Sequence, residues 1–183
     1  MKRRFLTPGK WLLIGIPITF IVGALFHSVF QLTGNNPIVG LFVPVNESIW
    51  EHLKLSFYPL LIWNLIGYLK YRKDYTFKGR SYLIASMAAP IAAPFVIVTF
   101  YYTLLAGFGI HSIALDVFSL LLANGIGQAL GFHLYKYGNF KVGVLILLLL
   151  LTIICSIMFA IFTVNPPHFP IFQDGVTGGY GIG

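Results

Sequence analysis

Five apolar stretches occupy most of this chain, at about 11–32, 49–69, 82–105, 113–135 and 142–164. Each is close to the roughly 20 residues that a helix needs to cross the hydrocarbon core of a bilayer. The runs are continuous rather than alternating. That pattern suits helices and excludes the closed barrel, the other structure that can satisfy its backbone inside lipid. Composition agrees: 57% of the 183 residues are hydrophobic and 9% are charged, against about 25% charged in soluble domains. A soluble fold of this length would lack the polar surface to stay dispersed. The expectation is therefore all-α: one membrane domain, residues 1–183, built as a polytopic bundle of about five transmembrane helices with an outward tail at 165–183.

The net charge of +7 would suggest nucleic acid in a soluble protein. Here the charges flank apolar runs and report topology, so no nucleic-acid partner is expected and the lipid bilayer is. Lys2, Arg3, Arg4 and Lys10 precede the first run. Lys70, Arg72, Lys73, Lys78 and Arg80 separate the second from the third, and Lys136 and Lys141 separate the fourth from the fifth. Eleven of the twelve basic residues thus share one side, which the positive-inside rule makes cytoplasmic. An odd number of crossings then puts the N-terminus inside and the C-terminus outside. The first run is too long for a signal peptide and is followed by no small-x-small cleavage site, so it reads as a retained anchor. The single cysteine, Cys155, lies inside an apolar run and reads as a small buried residue.

Helices in lipid associate through small residues and interhelical hydrogen bonds. Ala123, Gly127 and Gly131 recur at i, i+4, i+8 in the fourth run, flanked by Asn124 and Gln128. Ala85, Ala89, Ala92 and Ala93 make a similar stripe in the third, which also carries Pro90 and Pro94. The fifth run is the most uniformly apolar and is expected on the lipid-facing periphery.

The acidic residues and histidines are segregated. Glu47, Glu51, Asp116, Asp174, His27, His52, His111 and His168 all fall on the outer half, leaving Asp74 and His133 toward the inner side. Ionisable groups within spans are expensive and default to a functional reading. The densest segment is Pro44-Val45-Asn46-Glu47-Ser48-Ile49-Trp50-Glu51-His52-Leu53-Lys54. Asn46 is a candidate N-cap, which would put Glu47 in the first turn, where the helix dipole favours a carboxylate. At 100° per residue Glu47, Glu51, Lys54 and Tyr58 would then share one face, with Ser48 and His52 on a neighbouring one.

The string Pro-Val-Asn-Glu-Ser-x-Trp-Glu-His-x-Lys, together with the tail Asn165-Pro166-Pro167-His168 through Asp174, Thr177-Gly178 and Tyr180-Gly181, resembles an uncharacterised family of small bacterial multi-spanning membrane proteins. The resemblance runs the length of the chain. It implies this architecture and a bacterial cytoplasmic membrane, and it implies no mechanism.

Three readings follow for the outer cluster. In the first it is a self-neutralising network, Lys54 pairing with Glu51 or Glu47 and the histidines bonding to backbone or water. In the second it is an outward-facing metal site, with His27, His52, His111 and Asp116 as ligands, Glu51 as a further one, and Glu47, Glu51 and Lys54 as candidate catalytic groups. Nitrogen and oxygen donors suit zinc, and a spare carboxylate could act as general base. This is the leading functional expectation: a metal-assisted membrane hydrolase acting on a small molecule or lipid at the outer leaflet, although no His-x-x-x-His or His-Glu-x-x-His spacing supports it. In the third it is a proton- or cation-coupled path through Glu47, Glu51 and Asp116, continued inward by Asn124, Gln128 and His133, in a small transporter working as a homo-oligomer. A structural membrane partner without chemistry is a further alternative. The tail, rich in glycine and proline, reads as a flexible lid or docking segment; its Thr-Gly-Gly-Tyr-Gly string lacks the flanking helices that grip a channel filter.

Overall fold

The computed structural model describes residues 6–110 and 112–182. These form an all-α bundle whose one β-type pairing, among the described residues, is a single bridge between Gln173 and Tyr180. The helices are α1 (Pro8–Leu32), α2 (Pro37–Gly40), α3 (Ile49–His52), α4 (Lys54–Tyr71), α5 (Gly79–Tyr102), α6 (Ile113–Tyr137) and α7 (Val142–Val164). A π-helical turn, Thr103–Gly107, extends α5, and a 3-10 turn, Pro170–Phe172, lies in the tail.

Four helices are long and apolar enough to cross a membrane: α1, α5 with its extension to Leu105, α6 and α7. The stretch expected as a fifth apolar span differs. It is split at Leu53 into α3 and α4, and α4 carries Lys54, Asn64 and Lys70. The reason is position. Helix α4 packs against α1, α5 and α6, so residues from Lys54 to Leu60, with Asn64, Gly67 and Tyr71, are buried inside protein. A stripe of Ile62, Leu65, Ile66 and Leu69 faces outward, with Lys70 exposed at the helix end. A helix enclosed by its neighbours needs apolar character on that stripe alone.

Small residues set the helix contacts. A Cβ on Gly127 would lie 2.9 Å from the Ala89 carbonyl oxygen, and one on Gly131 would lie 3.3 Å from that of Ala85, so α6 rides on the alanine stripe of α5. Between α1 and α4 the approach is closer still. A Cβ on Gly23 would fall 2.3 Å from the Leu55 carbonyl oxygen. Pro59 has no N–H to offer that carbonyl, and the backbone of Gly23 packs against it. Nearer the basic end, Trp11 and Trp63 stack at 4.2 Å between ring centroids, and each indole N–H donates to the other's backbone carbonyl at 3.1 and 3.0 Å. Helix α7 buries only Thr152, Phe159 and Thr163 and lies on the outside of the bundle.

The two ends of the bundle differ in chemistry. At one, Tyr71 donates to the Leu6 carbonyl at 3.0 Å beside Tyr82, Phe77 and Tyr135, among the basic connections. At the other, the 36–53 segment meets the tail, and the Ile182 N–H donates to the Thr163 carbonyl at 3.0 Å. The beginning and end of the described chain therefore lie at opposite ends.

Candidate functional site

The site is built on the segment that leads into α3. Asn36 caps α2, accepting from the Ile38 N–H at 2.9 Å. Asn46 does not cap α3, as its position suggested. Its side-chain oxygen accepts from the Ser48 N–H at 3.0 Å, making an Asx turn, and Ser48 is the N-cap, its Oγ accepting from the Glu51 N–H at 3.3 Å. Ser48 and Glu51 have the spacing of a capping box. The Ser48 N–H is already taken, however, and Glu51 reaches instead to the Val45 N–H at 3.1 Å. The helix thus starts two residues later than expected. Glu47 stands before it rather than in its first turn, and the two glutamates do not share a face.

Glu51 turns inward. Its Oε2 accepts from Lys54 Nζ at 2.6 Å and its Oε1 from Thr163 Oγ1 at 2.9 Å. Lys54 also donates to the Gly40 carbonyl at 2.8 Å and to Thr163 Oγ1, with the Val43 carbonyl at 3.4 Å. Both charged residues are buried, at 2% and 0% exposure. An ammonium has three protons to give, and all three are engaged. The group ties the 40–45 segment, α4 and α7 into one joint. Glu51 and Lys54, expected as catalytic groups, are bonded to each other, to Thr163 and to backbone groups, and both are buried.

Glu47 turns outward to meet the histidines. Its Oε2 lies 3.4 Å from His27 Nε2 and 3.4 Å from His52 Nε2, and the two imidazole nitrogens are 3.3 Å apart. The three side chains are 44%, 43% and 30% exposed. His27 comes from the C-terminal part of α1 and His52 ends α3, so the triad bridges two elements. His52 Nδ1 lies 2.8 Å from the Ser48 carbonyl. A carbonyl only accepts, so a proton sits on Nδ1, and Nε2 faces the triad, donating to Glu47 when it is protonated and offering a lone pair when it is not. A hydrogen bond from His52, joined by the fields of both imidazoles, outweighs partial burial and holds the Glu47 carboxyl below its ordinary range.

Three ligand-type atoms forming a nearly equilateral triangle of 3.3–3.4 Å edge have a specific meaning. A tetrahedral zinc with bonds of about 2.0–2.1 Å sets its ligands roughly 3.3–3.4 Å apart. The triad therefore has the spacing of three corners of a zinc tetrahedron, on side chains that are each partly exposed. Two histidines and one glutamate are also a donor set found in catalytic zinc sites.

Of the four residues expected as metal ligands, the geometry joins His27 and His52. Asp116 is in the first turn of α6 and acts on His52 through its charge, but no contact among the described residues joins its carboxylate to the triad. His111 lies outside the described residues. Glu47, expected as catalytic, stands with the histidines instead. The signal that could have revealed this was the Ser48–Glu51 spacing, which moves the helix start and releases Glu47.

Nor is the tail a free segment. Trp50 packs against Phe159, Phe162 and Phe172 at centroid distances of 5.1, 5.3 and 4.9 Å, and the Asn46 amide donates to the Gly181 carbonyl at 3.0 Å. The tail closes over the segment that carries Glu47.

No curated protein and no solved structure is detectably similar to this chain. The model of a family of unknown function (DUF6512) matches residues 1–182, and the chain belongs to that family.

Proposed function

We propose that the protein is a metal-dependent membrane enzyme, a hydrolase whose single divalent-metal centre is held by His27, Glu47 and His52 at the extracytoplasmic surface of a bacterial cell membrane. The observation that carries this reading is the triangle of ligand atoms at zinc spacing, on partly exposed side chains. Three protein ligands and one exchangeable position are the arrangement of catalytic rather than structural zinc. A zinc bound there would lower the pKa of its water to about 7 and supply hydroxide at neutral pH. The Ser48 carbonyl orients His52, the type of outer hydrogen bond that fixes a metal-binding tautomer. The orientation rests on the basic residues at the opposite end of the bundle. Lipids or small molecules reaching the outer surface are the substrates such a position offers.

The transport reading has less support. Glu51, a required carrier, is locked by Lys54 and Thr163, and Gln128 donates to Asn64 at 3.0 Å in the bundle interior rather than extending a path from the mouth.

The test is metal analysis of the full chain purified in detergent without chelators. One equivalent of zinc per chain is expected, falling to less than about a tenth in His27→Ala and in His52→Ala. A parent protein that neither retains nor takes up a stoichiometric divalent metal would end the proposal.

A further inference from the structure

The tail contributes no ligand atom to the triad, yet it grips the residue that does. The turn that Asp174 organises lies against Glu47: the Gly175 N–H donates to the Glu47 carbonyl at 3.4 Å. Asp174 is itself the centre of a knot. Its carboxylate accepts from the Val176 N–H and the Thr177 hydroxyl, each at 2.8 Å, its carbonyl accepts from the Gly178 N–H at 3.0 Å, and its N–H donates to the Gly179 carbonyl at 2.9 Å. Gly178 and Gly181 both sit at positive φ, +73° and +67°, a backbone that glycine adopts without strain. The knot is tied to the bundle beyond it through Ile182 to Thr163 and through Asn46 to Gly181. Burial works against ionising Asp174, but these donors together overcome it and hold its carboxyl below the ordinary value of 3.8.

We infer that the C-terminal tail is a positioning clamp for the metal centre, with Asp174 as the positioning residue that sets the Glu47 carboxylate. This rests on the metal reading above. Glu47 has no helix to hold it, because it precedes the Ser48 cap. His27 and His52 are carried by helices and need no such support. A carboxylate at the end of an unsupported loop would sample many positions, and the entropy of fixing it would be charged to metal binding. Holding the Glu47 carbonyl through Gly175, and the neighbouring Asn46 side chain through Gly181, lowers that penalty before the metal arrives.

The experiment compares the parent with Asp174→Ala, Glu47→Gln and the double variant, as full chains in detergent. The first readout is amide hydrogen exchange on metal-free protein. In Asp174→Ala, residues 45–48 should lose protection while α4 and α6 keep theirs; unchanged exchange in that segment overturns the clamp. The second is zinc titration, with the cobalt(II) visible spectrum reporting the coordination sphere. Asp174→Ala should weaken zinc by about 10- to 100-fold, as loss of an outer partner does, and alter the cobalt spectrum. The double variant should bind no more weakly than Glu47→Gln alone, because Asp174 acts only through Glu47. Zinc affinity in Asp174→Ala within about threefold of the parent, or additive losses in the double variant, overturns the inference. A parent that binds no zinc overturns the metal centre and the ligand role of Glu47 with it, and the exchange readout distinguishes that case from a tail that never held the loop.

Discussion

Replacing Gly23 by alanine should be more damaging than the same change at Gly127 or Gly131. The added Cβ would stand 2.3 Å from the Leu55 carbonyl oxygen, about 1 Å inside contact distance. A backbone carbonyl cannot rotate away as a side chain does, so α1 and α4 would have to separate. That movement would break the contact made where Pro59 leaves Leu55 without its helical donor. Overpacking a filled interior costs about 1–3 kcal/mol, and this site belongs at the upper end. The same bundle supplies an internal scale. Gly127→Ala meets the Ala89 carbonyl oxygen at 2.9 Å and Gly131→Ala meets that of Ala85 at 3.3 Å, so losses of about 1–2 kcal/mol and near zero should follow in that order. Gly125 and Gly143 face open space, and alanine there should be neutral or stabilise by up to about 1 kcal/mol through helix propensity. Unfolding in mixed micelles of rising dodecyl sulfate content, followed by tryptophan fluorescence and circular dichroism, measures all five variants on one scale. If Gly23→Ala were as stable as Gly125→Ala, the close α1–α4 approach would be refuted. If the order of Gly23, Gly127 and Gly131 were reversed, the argument from backbone contact distance would fail.

Lys54→Met should destabilise the bundle by about 3–5 kcal/mol in the same assay, because it strands the buried Glu51 charge; Glu51→Leu with Lys54→Met should recover most of that, and no recovery would show that the ion pair is not the main term. Acid should expel zinc, because metal binds only deprotonated ligands. Glu47 has a lowered folded pKa, so the stability from its ionised form is present above its ordinary 4.5 and is lost as pH falls through the lower folded value. Loss of zinc between pH 7 and 5 should therefore track proton uptake by His52, whose pKa is raised, and an unchanged affinity over that range, measured by competition with a zinc indicator, would contradict imidazole ligation. A reporter enzyme that works only outside the cytoplasm should be active when fused after Gly183, and activity of a cytoplasm-only reporter at that position would overturn the orientation.

The sequence alone determined the solvent in which this chain folds and the rough course of its helices. Apolar length and backbone hydrogen bonding leave few solutions in lipid, so 11–32, 82–105, 113–135 and 142–164 were legible, as was the small-residue contact of Gly127 and Gly131. The segregation of basic residues from acids and histidines was equally a property of linear order. Tertiary structure alone decided what the polar residues do. Span 49–69 could not reveal that α4 is enclosed by protein, because burial among helices tolerates polar residues that lipid would reject. Helical spacing joined Glu47 to Glu51, but a cap set two residues later separated them, sending one to a lysine and a threonine from α7 and the other to a histidine from α1. The spacing between Lys54 and Thr163, or between Glu47 and Gly175, follows no local period. Such pairs are set by how helices and loops converge after folding, and only the folded chain brings them within bonding distance.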